Sequence, residues 1–99
     1  MRRVIADDHP ALAGHFPGNP IVPGVLILDE VLRAAEQWRG QFRLKKVESV
    51  KFTSTLKPGN AFSIKLHEEG RSYIAFECLL GGTTLATGRL KVELDAGES

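Results

Sequence analysis

Two side chains suited to acid–base chemistry flank a loop rich in proline and glycine. His15 lies in the run AGHFPGNPIVPGVLILDEV, and Asp29 follows it fourteen positions later, after three prolines and two glycines. Proline restricts its own backbone and that of the residue before it, so this loop can hold a side chain in place. An imidazole titrates near neutral pH, and a carboxyl can act as its acid partner. The pair suits proton transfer next to a carbonyl, whereas a proline-rich turn that happens to contain a histidine is the simpler alternative.

The loop leads into a helix that begins at Pro23–Gly24 and runs to about Arg39, with Gly40 as its C-terminal stop. The free N–H groups and the positive dipole end of this helix lie at Gly24, where they can stabilise negative charge on an oxygen. A broad apolar arc predicts that the helix is covered along most of its length. The arc consists of Ile27, Leu28, Val31, Leu32, Ala34, Ala35 and Trp38.

The hydrophobic period changes from 3.6 to 2 after the helix, which predicts strands. Short turns, such as Gly81–Gly82, predict that consecutive strands are antiparallel neighbours. Each strand has one apolar face, and a single long helix is available to cover it. We therefore expect an α+β fold, with an antiparallel sheet of about five strands around one central helix at about 24–39. Gly88, on the apolar face, is expected to let helix and sheet approach closely. The expected strands are Arg2–Ala6, Val50–Leu56, Phe62–His67, Tyr73–Leu80 and Thr84–Leu94.

The composition describes one ordinary domain spanning residues 1–99, with residues 96–99 as a frayed tail. The net charge of +1 gives no argument for binding nucleic acid or a membrane surface. No apolar run is long enough to span a bilayer, and no signal peptide is recognised at Met1. The single cysteine, Cys78, agrees with a reducing cytoplasm and is expected to be a small buried hydrophobe. A chain this short builds a modest core, so we expect an oligomer.

The order of the residues around His15 says more about function than the composition of the loop does. HFPGNPIVPGVLILDE resembles the signature of the β-hydroxyacyl-acyl-carrier-protein dehydratases of fatty acid synthesis, an H-F-x-G-x-P-x-x-P-G run followed by a helix. KFTSTLKPGNAFSIKL is similar to the K-F-x-x-P-x-x-P-G-D segment of that family, with Thr55 and Asn60 as departures. The resemblance runs from about Ala6 to Leu94. It implies the hotdog fold and the dehydration of a 3-hydroxyacyl thioester to the trans-2-enoyl thioester.

The resemblance also implies roles for individual residues. His15 corresponds to the catalytic base, Asp29 to the acid, and Gly24 to the residue whose N–H polarises the thioester carbonyl. That acid is glutamate in the branch that only dehydrates and aspartate in the branch that also isomerises the double bond, so isomerisation stays open. For Asp29, a surface ion pair with Arg33 four residues later is the competing explanation. Residues expected to bind the substrate are Phe16, Gly18, Pro23 and Val25.

The implied partner is an acyl carrier protein. Six basic and three acidic residues between Arg43 and Glu69 give that segment a net charge of about +3. Lys45, Lys46 and Lys57 are the members expected to dock the acidic carrier, with solvated strand faces as the alternative. The family's composite site implies a homodimer or a multiple of dimers.

No cofactor and no metal are expected, because His9 beside Asp7 and Asp8 matches no common zinc spacing. Two other functions stay open. One is hydrolysis of an acyl thioester by a hotdog enzyme, and the other is a non-catalytic subunit that binds acyl chains or a partner.

Overall fold

One helix and five strands make up the regular structure of the computed structural model, which describes residues 1–6 and 21–94. The strands form one antiparallel sheet in the order β1-β3-β4-β5-β2. The expected α+β architecture and the helix bounds are confirmed. The elements are β1 (Arg2–Val4), α1 (Gly24–Arg39), β2 (Phe42–Phe52), β3 (Ala61–Glu69), β4 (Tyr73–Leu80) and β5 (Thr83–Leu94).

Strand β2 departs from the prediction in both its length and its neighbour. It begins at Phe42 and pairs with β5, so the prediction that consecutive strands are always neighbours is wrong for β2 and β3. Residues 53–60 cross from one edge of the sheet to the other instead of closing a hairpin. The Thr53 N–H donates to the Leu85 carbonyl at 2.8 Å, and the Gly59 N–H donates to the Ile5 carbonyl at 2.8 Å. These two bonds fix the crossing segment to β5 at one end and to the residues after β1 at the other.

Helix α1 covers one face of the sheet. Its buried residues follow a helical spacing, and each large apolar side chain removed from water contributes about 1.5–3 kcal/mol. The arc is narrower than expected, because Leu28 and Leu32 are half-buried and Trp38 is 41% exposed. The fully buried helix residues are Ile27, Val31, Ala34 and Ala35. The sheet residues of the same core are Phe62, Ile64, Ile74, Phe76, Cys78, Leu85, Ala86, Leu90 and Val92.

Gly88 lies on the helix-facing side of β5, opposite Phe76 of β4. A Cβ atom at Gly88 would lie 2.7 Å from Phe76 Cζ and 3.1 Å from Val50 Cγ2. The expectation that Gly88 brings helix and sheet together is therefore wrong. The glycine instead makes room for the Phe76 ring of the neighbouring strand, an arrangement that fills the space a side chain would occupy.

The middle and the C-terminal end of α1 are attached to the sheet by polar contacts. Gly40 ends the helix with φ of 84°, a left-handed conformation that favours glycine, and its N–H donates to the Glu36 carbonyl at 2.8 Å. Arg39 in the last turn forms an ion pair with Glu68 of β3. Arg3 of β1 lies 3.8 Å from the Glu30 carboxylate and donates to Gln37. Within the described residues, no helix has the length and apolarity needed to cross a membrane.

Candidate active site

The site begins at the N-terminus of α1. Pro23 is the N-cap residue, with extended backbone angles of −60° and 143° and no side-chain hydrogen bond to the helix. The Leu26 N–H donates to the Pro23 carbonyl at 3.0 Å. The N–H groups of Gly24 and Val25 precede that bond, and the first amides of a helix have no intrahelical acceptor. They can donate to an oxygen from outside the helix, with the helix dipole favouring negative charge there.

An aromatic ring from the end of β2 lies against this helix start. A Cβ atom added at Gly24 would be 2.7 Å from Phe52 Cζ, 2.9 Å from Cε1 and 3.0 Å from Cε2. Phe52 is 48% exposed, and the neighbouring Val25 is 68% exposed. The amides of the first helical turn therefore lie beside an apolar surface that solvent still reaches.

Asp29 lies on the same helix face as Val25, four residues earlier. Its carboxylate is 3.2 Å from the Arg33 guanidinium, and its side chain is 51% exposed. The helical rise places Asp29 roughly 7.5 Å along the axis from Gly24, and helical side chains lean back toward the N-terminus. An exposed i,i+4 ion pair contributes about 0.3–0.5 kcal/mol, so Arg33 holds the carboxylate only weakly. The carboxylate is half-exposed near the first helical turn, and the ion-pair alternative for Asp29 also stays open.

Glu30 belongs to a different part of the surface. Its side chain is 19% exposed and lies near Arg3 of β1, where it ties the first strand to the helix. Glu30 therefore contacts the sheet, whereas the ion pair of Asp29 with Arg33 stays within the helix. The helical spacing expected from the sequence, which separates the two carboxylates by about 100°, is consistent with their different partners.

Three of the predicted site residues, His15, Phe16 and Gly18, lie outside the described residues, and their roles stay predictions. Pro23 is half-buried at the helix start, beside Gly24. Lys45, Lys46 and Lys57 are exposed, and the Lys45 ammonium lies 3.3 Å from the Glu93 carboxylate. Their docking role stays a prediction. The predicted tail at 96–99 is likewise outside the described residues.

Cys78 takes no part in this site. Burial within the sheet, with a smaller contribution from Glu77, raises the pKa of its thiol to about 12. It is therefore a protonated, buried hydrophobe, as the strand pattern predicted. Among residues 1–6 and 21–94, no group of three His, Cys, Asp or Glu side chains is placed to hold a metal ion.

Phe52 is the site feature that the sequence interpretation missed. The sequence marks Phe52 only as an apolar position within an expected strand, Val50–Leu56. The contact that matters is with Gly24, which lies 28 positions earlier in the chain. No local pattern connects two residues at that separation. Correlated substitutions at these two positions across a family are a signal that can detect such a contact.

Comparisons with known proteins identify the family of this chain. The ApeI-like family model, described as ApeI dehydratase, matches residues 1–89. The 3-hydroxyacyl-acyl-carrier-protein dehydratase FabZ of Chlamydia trachomatis serovar L2 is 34% identical, over 93% of this chain and 69% of that protein. FabZ of Lactobacillus helveticus is 40% identical over 62 residues. Those matched residues make up only 40% of the length of that protein.

A solved structure extends the comparison to the fold. The dehydratase heterocomplex ApeI:P from Xenorhabdus doucetiae contains a chain that superposes with a TM-score of 0.81 at 28% identity. The match covers 93% of this chain and 83% of that one. One helix on a five-stranded antiparallel sheet is the hotdog arrangement expected from the motif. The chain therefore has the hotdog fold and belongs to the ApeI-like dehydratase family.

Proposed function

We propose that this protein dehydrates a 3-hydroxyacyl thioester, carried by an acyl carrier protein, to the trans-2-enoyl thioester. The observation that carries the proposal is the placement of Asp29 on a helix whose first amides are open to an external oxygen. Membership of the ApeI-like dehydratase family supports the reaction class, and the FabZ relatives carry the name of this activity.

Each group has one task in the proposed reaction. The Gly24 N–H donates to the thioester oxygen and stabilises the charge that develops there. His15 removes a proton from the α carbon, because imidazole is the side chain best suited to act as a base near neutral pH. Asp29 donates a proton to the β hydroxyl as the C–O bond breaks. The carbon–carbon double bond forms between the α and β carbons, and one molecule of water leaves.

We also propose that the active unit is a homodimer, with sites composed of residues from both subunits. Asp29 is half-exposed and turned away from the sheet of its own chain, which supports a site completed by a second chain. The edge strand β2 has eleven residues, including the exposed Leu44, whereas the opposite edge strand β1 has three. A long edge strand offers unpaired backbone groups, so the two sheets would join along β2.

The proposed carrier docking surface consists of Lys45, Lys46 and Lys57. All three are exposed. An acidic carrier protein would be steered by this charge during association, and such steering weakens as salt increases. A reducing cytoplasm is the proposed location, since Cys78 is the only cysteine in the chain.

A product assay separates the three candidate functions. The purified protein is incubated with 3-hydroxybutyryl-pantetheine and, separately, with butyryl-pantetheine. A dehydratase forms the enoyl thioester from the first compound and leaves the second intact. A thioesterase releases free thiol from both, and a binding subunit does neither. Thiol release without enoyl product would replace the proposed reaction with hydrolysis.

Subunit complementation tests the composite site. His15→Ala and Asp29→Asn proteins are each expected to be inactive, and their subunits are mixed under conditions that permit exchange. A heterodimer should regain activity, because one of its two sites carries both native groups. A demonstrated heterodimer without activity would show that each chain holds a complete site.

A further inference from the structure

The ring of Phe52 packs against the start of α1 but is not part of the hydrophobic core. It lies against Gly24 so closely that one added carbon atom at that residue would be 2.7 Å from the ring. Even so, 48% of Phe52 stays exposed, while Phe62 and Phe76 of the same sheet are almost fully buried. The exposed part of the ring therefore remains available to a ligand bound at the helix start.

Hydrogen bonds hold both sides of this contact. On the strand side, the Thr53 N–H donates to the Leu85 carbonyl at 2.8 Å, and the Thr53 hydroxyl donates to the Thr84 carbonyl at 2.7 Å. On the helix side, the Val22 N–H donates to the Leu56 carbonyl at 2.8 Å. The end of β2 and the start of α1 are thus fixed relative to each other, and the ring position follows from the backbone.

The contact brings the ring close to the Gly24 amide. A Cβ atom lies about 2.5 Å from the amide nitrogen of its own residue, so the ring tip is at most about 5 Å from that nitrogen. A thioester oxygen bound at hydrogen-bond distance brings its carbonyl carbon and α carbon into the same few ångströms. The α carbon of such a ligand lies within a few ångströms of the ring when the acyl group binds on the Phe52 side of the amide.

We infer that Phe52 is a specificity-determining residue that excludes a substituent on the α carbon of the substrate. The protein accordingly accepts straight-chain 3-hydroxyacyl thioesters and discriminates against their 2-methyl derivatives. This inference rests on the proposed function, since it assumes that the thioester oxygen binds at Gly24. One methyl group that a pocket cannot accommodate changes selectivity by about 10–200-fold.

The test compares two substrates on three proteins. Wild type, Phe52→Ala and Trp38→Ala are assayed with the pantetheine thioesters of 3-hydroxybutyrate and 2-methyl-3-hydroxybutyrate. Trp38 is a matched control, because it is also a partly exposed aromatic residue and lies at the opposite end of α1. We expect wild type and Trp38→Ala to favour the unbranched substrate at least about 10-fold in kcat/KM, and Phe52→Ala to reduce that ratio at least about 10-fold. An unchanged ratio in Phe52→Ala, or equal use of both substrates by wild type, would overturn the inference.

Binding measurements separate this inference from the proposed function. Calorimetry with the butyryl and 2-methylbutyryl amide analogues of pantetheine needs no turnover, and neither analogue can be dehydrated. If wild type forms no enoyl product but Phe52→Ala alone loses the preference for the unbranched analogue, the dehydratase proposal fails and the role of Phe52 stands. If product forms and the preference is the same in both proteins, the reverse holds. Phe52→Leu, which keeps an apolar side chain, provides the same comparison should Phe52→Ala fold poorly, and absence of binding by wild type would contradict the site itself.

Discussion

Gly88→Ala is expected to destabilise the fold through one contact, with the Phe76 ring. The new Cβ atom would lie 2.7 and 2.8 Å from two ring atoms, whereas ordinary van der Waals contact begins near 3.4 Å. The ring must therefore retreat by about 0.7 Å, and being only 4% exposed it has no route into solvent. Val50 Cγ2 lies 3.1 Å from the same Cβ position, so the new atom also has a close neighbour in β2.

Two opposing terms set the size of the effect. Overpacking a buried position costs about 1–3 kcal/mol. Replacing glycine by alanine recovers about 0.5–1 kcal/mol of unfolded-state entropy. These ranges leave a net loss of at most about 2.5 kcal/mol, centred on about 1 kcal/mol, and each kcal/mol lowers Tm by roughly 4–8 °C in a domain of this size. The measurement is urea unfolding followed by circular dichroism, with thermal unfolding beside it.

Two further variants identify the cause. Gly82→Ala is the matched control, because no atom lies within 4 Å of its added Cβ, and it should stabilise by about 0.4–1 kcal/mol. In a Phe76→Leu background, which removes the outer ring atoms, Gly88→Ala should cost at least about 1 kcal/mol less than in wild type. Equal costs in both backgrounds, or a Gly88→Ala protein as stable as Gly82→Ala, would refute the packing explanation.

Three other predictions concern the site, the thiol and the docking surface. Asp29→Asn should lower the turnover of dehydration by about 10²–10⁴-fold. Arg33→Ala should change turnover little, because an exposed ion pair contributes less than about 1 kcal/mol. Similar losses of turnover in the two variants would leave Asp29 as an ion-pair residue. The thiol of Cys78 keeps its proton in the folded state up to a pKa of about 12, whereas the unfolded thiol loses its proton above about 9. Stability should therefore fall as pH rises through this window, and between pH 8 and 10.5 wild type should lose about 2 kcal/mol more than Cys78→Ala in urea unfolding; equal losses would contradict the buried thiol. Reversing Lys45 and Lys46 to glutamate should raise KM for a carrier-linked substrate at low salt and spare a pantetheine thioester; equal losses on both substrates would remove the docking surface.

The sequence predicts the helix and the three later strands well, because local signals mark their ends. Pro23–Gly24 and Gly40 delimit α1, and the tight turns at Gly70 and Gly81 join neighbouring strands. The same helical spacing also places Asp29 beside Arg33, which the structure confirms at 3.2 Å. These features depend on residues within a few positions of each other, where backbone preferences and periodicity act directly.

The sequence does not predict features that depend on distant pairing. Strand β2 pairs with β5 through a register interrupted twice, once beside Ser49, whose φ is 56°. Such irregularities leave no periodic trace, so neither the full length of β2 nor its neighbour could be predicted. The alternating pattern correctly placed Gly88 on the apolar face, but not the ring that covers it. The contact between Phe52 and Gly24 is of the same kind, since only the folded sheet brings them together.

The most direct test of the proposed chemistry is dehydration by a folded His15→Ala protein. Wild type and His15→Ala are compared for enoyl product from 3-hydroxybutyryl-pantetheine, with circular dichroism and Tm confirming that both are folded. The removal of a general base should lower turnover by about 10²–10⁴-fold while Tm stays nearly unchanged. Near-normal turnover by a folded His15→Ala protein would contradict His15 as the base and, with it, the proposed mechanism.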